Sequence, residues 1–402
     1  MSRSILFHVQ YLLGIGHLQR SLRIANALTG QGIEVTLVCG GPPVAELMAD
    51  PSIRVVQLPP VRARDARFEL IDDAGRPLDD AFRARRRDDL LAAFAMARPD
   101  AVIIEGFPFA RRAFRFELDP LIEAVHASEP RPRLICSVRD IVVMRDDPAR
   151  HRETVERVCR DFDAVLVHGD PALIPFNASF PMASKITDRL IYTGYVSPPA
   201  KPATDGPLPA SGEVIVSAGG GAAGRALLDA ALAARRGGCL ADVPWRLLAG
   251  TNLPEAEFAA LRQAAPAGVT IERFHPDLAG LLRQCRVSVS QAGYNTVLDI
   301  LSAQARAVLV PFAAERETEQ PMRAERLMAL GAAELVRESE LSPASLTAAI
   351  ERAAAREPTP VAIDTDGAVN SARLIAALIE GHTPRMLPGH LAAKTGTAMI
   401  GQ

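Results

Sequence analysis

The stretch that most constrains the fold lies in the last third of the chain, where a strand, a glycine turn, a helix and a second strand follow one another. Residues 287–289 are a short apolar run, Gln291-Ala292-Gly293 is a turn, and a helix with one apolar side can begin at Tyr294. A second buried-type strand, 307–310, ends at Pro311. This order predicts a βαβ unit, in which a helix joins two parallel strands.

The start of this predicted helix is a candidate anion site, because a helix N-terminus behind a glycine turn offers free backbone N–H groups and the positive end of the helix dipole. Asn295 and Thr296 are residue types that cap helices. Asp299 follows one turn later on the same face, where a carboxylate can accept two ribose hydroxyls. Glu319 and Gln320 follow the second strand and are expected at the same edge of the sheet, where α/β folds bind ligands.

The pattern S-x-x-G-x-N-T-x-x-D, then a strand ending in V-P-F and then E-x-E-Q, resembles the nucleotide-sugar half of GT-B glycosyltransferases, and the family 28 type most closely. The resemblance implies that the turn at Gly293 and its helix hold a diphosphate, that Asp299 holds the ribose and that Gln320 touches the donor sugar. Most relatives have Glu at the place of Asp299. The implied donor is UDP-linked, such as UDP-N-acetylglucosamine.

A second strand-to-helix turn lies near the N-terminus. A strand over residues 4–10 precedes Gly14-Ile15-Gly16-His17, and an amphipathic helix over 18–28 follows. The third glycine of a dinucleotide fingerprint is absent, and Cys39 and Gly40 stand where an acidic residue would close the second strand. This pattern argues against an NAD site.

The pattern G-x-G-H-x-x-R resembles the first turn of GT-B glycosyltransferases and of related nucleotide-sugar hydrolases. The resemblance implies that Gly14 and Gly16 let the backbone approach the sugar and diphosphate, and that His17 is the catalytic base. An imidazole can take a proton from an acceptor hydroxyl or from water. The alternative is that His17 only packs against or caps its own helix.

Two carboxylates are further candidates for the base. Glu105 ends a predicted buried strand at 99–104, and Asp140 follows the strand at 133–137. Both are expected at the carboxyl edge of the same sheet, where function concentrates in such folds. Arg139 beside Asp140 is a candidate of the same rank.

Two arginine-rich segments have competing interpretations. Four arginines of a predicted helix at 82–96 stand next to Asp88 and Asp89, which favours a solvated, salt-bridged face over a surface for a polyanionic or lipid-linked acceptor. Three more arginines alternate with phenylalanines at 107–116. We expect these to pack and to contact the acceptor rather than nucleic acid, because the chain has a net charge of −2.

The second half contains another glycine turn. A predicted strand at 213–217 is followed by Gly219, Gly220 and Gly221, and adjacent glycines are costly unless the backbone must approach something closely. This turn resembles the GT-B loop that meets the donor diphosphate. The resemblance also places the nucleobase at Phe274, with an apolar contact and backbone groups. His275 is expected to be structural.

The chain length of 402 residues and a Pro- and Ala-rich segment near the middle predict two α/β domains. We predict a GT-B fold of two doubly wound Rossmann-like domains facing a cleft: residues 1–197, a Pro- and Ala-rich linker at 198–211, residues 212–382, and a tail at 383–402. In the resembling fold, the last helix often crosses back onto the first domain.

The sequence therefore predicts a glycosyltransferase that moves a hexose from a nucleoside-diphosphate sugar to an acceptor hydroxyl. The acceptor is unidentified, with a lipid-linked compound or a natural product as the classes considered. We expect no metal and no other cofactor, because backbone N–H groups and helix N-termini would stabilise the diphosphate leaving group. A nucleotide-sugar hydrolase, an epimerase of the same fold and a non-enzymatic nucleotide-sugar sensor are the alternatives.

Cysteine usage and hydropathy predict the compartment. The five cysteines form no C-x-x-C pair, and the N-terminus enters a strand directly, which favours a reducing cytoplasm. Since no apolar run reaches the length of a spanning helix, we expect at most a peripheral membrane contact.

Overall fold

The computed structural model describes residues 3–12, 15–44, 49–64, 69–142, 147–197, 212–219, 224–313, 318–357 and 359–382. The chain divides into two compact units. Unit 1 comprises Met1–Pro199 and Ile363–Gln402, and unit 2 comprises Ala200–Ala362. Each unit contains a parallel α/β sheet, which confirms the predicted pair of doubly wound Rossmann-like domains.

Unit 1 is built on a parallel sheet in the order β3-β2-β1-β6-β7-β8-β9, with a small antiparallel pair, β4 and β5, beside it. Its strands are β1 Ser4–Val9, β2 Glu34–Cys39, β3 Arg54–Gln57, β4 Arg62–Ala63, β5 Leu70–Ile71, β6 Ala101–Glu105, β7 Arg133–Arg139, β8 Ala164–His168 and β9 Leu190–Tyr192. Its helices are α1 Gly16–Thr29, α2 Asp80–Ala97, α3 Arg115–Ala127, α4 Pro148–Asp161 and α11 Gly367–Ile379.

Unit 2 is built on a parallel sheet in the order β12-β11-β10-β13-β14-β15. Its strands are β10 Val214–Ser217, β11 Trp245–Leu248, β12 Val269–Glu272, β13 Val287–Ser290, β14 Ala307–Leu309 and β15 Glu334–Leu335. Its helices are α5 Arg225–Arg236, α6 Glu255–Ala264, α7 Leu278–Gln284, α8 Tyr294–Ala303, α9 Glu319–Ala329 and α10 Pro343–Ala355.

Both sheets have the strand order of a Rossmann fold, so each has one point where the chain reverses its direction of travel across the sheet. In unit 1 this switch point lies between β1 and β6, and in unit 2 it lies between β10 and β13. Ligands of such sheets bind at the carboxyl ends of the strands next to the switch point. The glycine turns after β1, β10 and β13 are therefore in the expected places.

Alternate residues of β1 face two hydrophobic clusters, because successive side chains of a strand point to opposite faces. Leu6 packs with residues of α2 and α3, whereas Ile5 and Phe7 pack with residues of α1 and α11. The sheet of unit 1 is thus covered on both sides, which is why its central strands are mostly apolar.

The C-terminal helix belongs to unit 1, although the predicted bounds of the second domain, 212–382, assigned it to the second half. Asn370 donates to the carbonyl of Thr193 at 2.9 Å, and Tyr195 N donates to the carbonyl of Asp364 at 2.7 Å. Ala372 and Ile375 are fully buried in the cluster that contains α1. The apolar face of α11 is therefore satisfied by the first sheet, a long-range contact that linear order does not reveal.

One arginine of α2 departs from the predicted solvated face. The side chain of Arg86 is fully buried and forms two hydrogen bonds of 2.7 Å with Glu117 of α3.

The predicted short helix near 43–49 falls largely outside the described residues. All five cysteines are free. No helix among the described residues is both long enough and apolar enough to cross a membrane.

Candidate functional site

The candidate site of unit 1 lies at the switch point of its sheet. His17 is the second residue of α1, directly after the turn that follows β1, and Glu105 is the last residue of β6. The strands β1 and β6 are neighbours, so two residues far apart in the sequence meet at one edge. Gly14 lies outside the described residues. At Gly16 an added Cβ would meet no protein atom within 4 Å, so the packing of the fold does not require a glycine there.

His17 and Glu105 form a hydrogen-bonded pair. The Nδ1 atom of His17 lies 2.7 Å from Oε1 of Glu105. The same carboxylate oxygen accepts a hydrogen bond of 2.6 Å from Nη2 of Arg20 on α1. Glu105 is 2% exposed, whereas 26% of the His17 side chain is exposed. The acid is thus enclosed behind the imidazole, and the imidazole can meet a ligand.

The electrostatic surroundings fix the protonation state of this pair. The pKa of His17 is lowered to about 4: burial is the largest cause, the nearby Glu105 opposes it, and Arg139 and Arg111 add to the lowering. Burial alone would raise the pKa of Glu105, but His17, Arg20 and Arg111 hold it well below its usual range. At neutral pH Glu105 is therefore a carboxylate that can only accept, so Nδ1 of the neutral imidazole carries the proton. The lone pair is on Nε2.

Two further arginines surround the pair. Nη2 of Arg139, the last residue of β7, lies 3.5 Å from Nε2 of His17. Nη2 of Arg111, in the segment after β6, lies 3.8 Å from the second oxygen of Glu105. The arrangement joins a neutral imidazole, one carboxylate and three guanidinium groups, which suits proton abstraction next to negative charge.

Asp140 is more enclosed than His17. Its side chain is fully buried, and Tyr195 donates a hydrogen bond to Oδ2 over 3.2 Å. A fully buried carboxylate is poorly placed to take a proton from a substrate within this unit, since a base must reach the proton. Glu105, the other predicted alternative, is a partner of His17.

A buried hydrogen-bond chain lies beside the pair. Nε2 of fully buried His168 is 2.7 Å from Oγ of Ser137, and Nδ1 is 2.9 Å from Oγ1 of Thr193. Because the Thr193 hydroxyl also lies 2.9 Å from the carbonyl of Gly194, Nδ1 of His168 donates and Nε2 accepts. Burial lowers the pKa of His168 to about 3. This histidine is a neutral structural link, not a second base.

The candidate site of unit 2 is formed by the turns after β10 and β13. Gly219 has φ +69°, a left-handed value that side chains rarely adopt, and an added Cβ would lie 3.1 Å from Oε1 of Gln291. The two turns therefore approach each other closely at the switch point. Gly220 and Gly221 lie outside the described residues.

The helix α8 begins where the sequence predicted, but its cap differs. Gly293 is the N-cap residue, and no side chain makes a capping hydrogen bond. Asn295 and Thr296 are inside the first turn, with Asn295 exposed, and Asp299 is half-buried on the following turn. A Cβ on Gly293 would meet only Thr296 Oγ1, at 3.9 Å. Within the described residues, no side-chain hydrogen bond caps the backbone N–H groups of this turn.

Arg323 of α9 contacts the turn before α8. The sequence did not predict this residue. It is 1% exposed and donates to the carbonyl of Ala292 at 3.0 Å and to Glu319 at 3.1 Å. Its guanidinium also lies over the Tyr294 ring, 5.6 Å from the centroid. The i, i+4 spacing of Glu319 and Arg323 was the available sequence signal, but only the fold brings Arg323 to Ala292.

The remaining predicted donor contacts lie in different environments. Glu319 is buried with Arg323, and Oε1 of Gln320 accepts a hydrogen bond of 3.1 Å from the backbone of Phe312. Phe274, after β12, is 67% exposed. Nδ1 of His275 accepts from the backbone of Asp277 at 3.2 Å, a local structural contact. A separate cavity of about 490 Å³ lies near Pro311, Leu335 and Arg337, and none of the predicted binding residues that the structure describes lines it.

The second half of the chain is similar to a known domain family. Residues 219–379 match the glycosyltransferase family 28 C-terminal domain. A UDP-N-acetylglucosamine–N-acetylmuramyl-(pentapeptide) pyrophosphoryl-undecaprenol N-acetylglucosamine transferase of Phenylobacterium zucineum is 28% identical over 316 residues, 72% of this chain and 82% of the relative. The family match begins at Gly219, in the glycine turn after β10.

Solved structures share the fold over nearly the whole chain. The glycotransferase of kitacinnamycin has a TM-score of 0.61 at 18% identity, with 95% of this chain and 97% of that chain covered. MurG of Acinetobacter baumannii has a TM-score of 0.58 at 19% identity, with 94% and 98% covered. At these identities the likeness establishes the fold alone.

Proposed function

We propose a donor and a mechanism for this chain, which is a GT-B glycosyltransferase of the family 28 type that uses a nucleotide sugar. The proposed donor is UDP-N-acetylglucosamine, and the proposed reaction transfers its sugar to an acceptor hydroxyl. The donor is supported by the name of the Phenylobacterium relative, a UDP-N-acetylglucosamine transferase. The observation that carries the mechanism is the neutral His17, held through Nδ1 by Glu105.

In the proposed reaction, Nε2 of His17 takes the proton of the acceptor hydroxyl. The acceptor oxygen forms a bond to the anomeric carbon as the bond from that carbon to the diphosphate breaks, and the nucleoside diphosphate leaves with the electron pair. Glu105 stabilises the imidazolium that forms. Such a single displacement inverts the anomeric centre.

Unit 2 supplies the proposed donor contacts. Backbone N–H groups at Gly293 and in the first turn of α8 would bind the diphosphate, because a helix N-terminus favours anions. Asp299 would bind the ribose, and Gln320 would contact the sugar. The exposed ring of Phe274 would cover the nucleobase. We also propose that the reaction needs no metal, since these backbone groups can stabilise the leaving group; full activity in excess EDTA is the expected result.

The relatives suggest two kinds of acceptor. The Phenylobacterium relative is named for a pyrophosphoryl-undecaprenol compound, and one solved structure is titled the glycotransferase of kitacinnamycin. Water as acceptor would make the enzyme a hydrolase with the same base. Sugar release at the rate of turnover without any added acceptor would replace our proposal with hydrolysis.

Donor binding is tested by thermal unfolding with UDP-, GDP-, ADP- and dTDP-sugars. A ligand at about 100 times its Kd stabilises the native state by about 2.7 kcal/mol, so UDP-N-acetylglucosamine is expected to raise the Tm. Asp299→Ala is expected to lose this shift. The control Asp229→Ala changes an exposed carboxylate of the same unit, paired with Arg225, and is expected to keep it.

Catalysis is tested separately with His17→Gln. This variant is expected to keep the donor-induced rise in Tm and to transfer sugar about 10²–10⁴-fold more slowly. The proposal fails if no nucleotide sugar shifts the Tm of the wild-type protein, or if His17→Gln transfers sugar at the wild-type rate.

A further inference from the structure

Arg20 is the last residue of the pattern G-x-G-H-x-x-R, and the resemblance implied no role for it. It lies on α1 three residues after His17, so both side chains project from one face of the helix. The Arg20 side chain is only 4% exposed. Its Nη2 atom lies 2.6 Å from Oε1 of Glu105 and 3.4 Å from Nδ1 of His17. This enclosed cation is therefore directed at the proposed base and its partner.

Two donors from one helix meet on a single carboxylate oxygen. Oε1 of Glu105 lies 2.7 Å from Nδ1 of His17 and accepts a hydrogen bond from Nη2 of Arg20. The other oxygen, Oε2, is buried without a hydrogen-bond partner, and Nη2 of Arg111 is 3.8 Å from it. Among the described residues, Arg20 is thus the one hydrogen-bond donor to this carboxylate besides His17 itself.

The burial of Glu105 makes its orientation depend on Arg20. A buried carboxylate is costly unless cations and hydrogen bonds satisfy it, and Glu105 is 2% exposed. Without Arg20, the imidazole alone would hold the carboxylate by a hydrogen bond, and the carboxylate would be free to turn toward Arg111. Nδ1–H of His17 would then lose its fixed acceptor.

We propose that Arg20 is a positioning residue of the transfer reaction, which holds Oε1 of Glu105 against Nδ1 of His17 and so fixes the direction of Nε2. This inference rests on the proposed function, in which Nε2 takes the proton of the acceptor hydroxyl. Arg20 acts through Glu105 and not by touching the acceptor, because its side chain is enclosed whereas 26% of the His17 side chain is exposed.

The charged groups around His17 come from four parts of unit 1. They are Arg20 of α1, Glu105 of β6, Arg111 of the segment after β6 and Arg139 of β7. Glu105 raises the pKa of His17, whereas Arg139 and Arg111 lower it. The pKa of His168 of β8 is lowered to about 3, mainly by burial, so this imidazole adds no charge at neutral pH.

The two partners of His17 are expected to affect its pKa in opposite directions. Arg20→Gln removes a positive charge 3.4 Å from Nδ1 and leaves the charge of Glu105 less compensated, which favours the imidazolium. The pKa of His17 should then rise above about 4, whereas Glu105→Gln should lower it. A general loosening of the fold does not predict opposite signs for two variants of one set of contacts.

The first test measures the pKa of His17 from its imidazole ¹⁵N signal in the full-length protein, without donor or acceptor. The signal is assigned by its loss in His17→Gln, and a rise in the pKa is expected in Arg20→Gln. Arg20→Lys keeps a positive charge and should give a smaller rise. Circular dichroism shows whether each variant is folded, and Arg20→Lys carries the test if Arg20→Gln is not.

The matched control for both tests is Arg23→Gln. Arg23 is the next arginine of α1, and it donates to the carbonyl of Val196 at 3.2 Å. This variant also removes an arginine hydrogen bond from α1, but it leaves Glu105 and His17 in place. It should therefore titrate and react as the wild type does.

The second test separates kcat from KM for the nucleotide sugar that raises the Tm, with water as the acceptor. The readout is the slow release of the nucleoside diphosphate at neutral pH. Arg20→Gln is expected to lower kcat by about 10-fold to 100-fold, the range for a charge-assisted hydrogen bond. The KM for the donor should stay unchanged, because Arg20 is enclosed in unit 1 and the proposed donor contacts belong to unit 2.

The inference is overturned if the pKa of His17 in Arg20→Gln stays at the wild-type value or falls, or if this variant keeps the wild-type kcat. The pKa test uses neither donor nor acceptor, so it gives an answer even if no nucleotide sugar binds, which is the result that ends the proposed function. The failure of this inference and the failure of the proposed function are thus distinguishable.

Discussion

The neutral imidazole of His17 makes the pH dependence of transfer predictable. A base with a pKa of about 4 in the free enzyme stays unprotonated through neutral pH, so kcat/KM is expected to be level there and to fall only as the pH approaches 4. The measurement is a pH–rate profile, with circular dichroism to show that the protein remains folded.

Replacing Glu105 by Gln is expected to move the fall in kcat/KM at acid pH, the acid limb of the profile, to still lower pH. Glu105 raises the pKa of His17, so its removal makes the imidazole harder to protonate. The rate should fall at the same time by about 10²-fold or more, because the imidazolium loses its partner. An unchanged limb and rate in Glu105→Gln would show that the pair has no catalytic importance.

Arg86 and Glu117 form a fully buried ion pair away from the proposed chemistry, and their effect should appear in stability. Arg86→Met is expected to reduce the free energy of unfolding by about 3–5 kcal/mol, because it leaves Glu117 buried without its partner. The control Arg87→Met removes an arginine of the same helix whose side chain is 42% exposed, and it should change stability by less than about 0.5 kcal/mol. Urea unfolding measures both; equal losses would contradict the prediction.

Among the helices, α8 depends on α9 for the position of its N-terminus. Arg323→Met removes the hydrogen bond to the Ala292 carbonyl and the ion pair with Glu319. We expect the KM for the donor to rise about tenfold or more, because small displacements of a binding group are costly. The KM for the acceptor should stay unchanged.

The control for this change is Arg326→Met, an exposed arginine on the same helix, which should leave both KM values near those of the wild type. If Arg323→Met raised the acceptor KM and left the donor KM unchanged, Arg323 would not support the donor turn.

The elements themselves were largely readable from the sequence. The order of strand, glycine turn and helix at 4–28 and 287–310 predicted β1, α1, β13, α8 and β14, since a period of two or 3.6 residues is a local property. The prediction of the N-cap of α8 was wrong. Asn295 and Thr296 have capping side chains, but the N-cap is Gly293, two residues before Asn295. The backbone path of the turn therefore decided the cap.

At the level of the whole chain, helix α11 joins the two ends of the sequence in unit 1. Ile375→Ala creates a cavity at a fully buried position of this helix and is expected to destabilise unit 1 by about 2–5 kcal/mol. The single tryptophan, Trp245, is buried in unit 2. Its fluorescence should therefore follow the unfolding of unit 2. In Ile375→Ala, the unfolding transition followed by this fluorescence should shift less than the transition followed by circular dichroism.

Val369→Ala, at a residue of the same helix that is 43% exposed, is the control and should leave both signals unchanged. A larger shift in the Trp245 fluorescence than in the circular dichroism signal would mean that α11 stabilises unit 2 instead.

The sequence by itself determined the two α/β units, the carboxyl edges of their sheets and most candidate residues at those edges, because strand order, glycine turns and apolar periodicity are encoded locally. Only the tertiary structure decided how those residues pair. It made Glu105 the partner of His17 across 88 positions, enclosed Asp140 and Arg86, and attached α11 to unit 1. These outcomes depend on which side chains are brought together and removed from water, and that is fixed by the packing of distant segments.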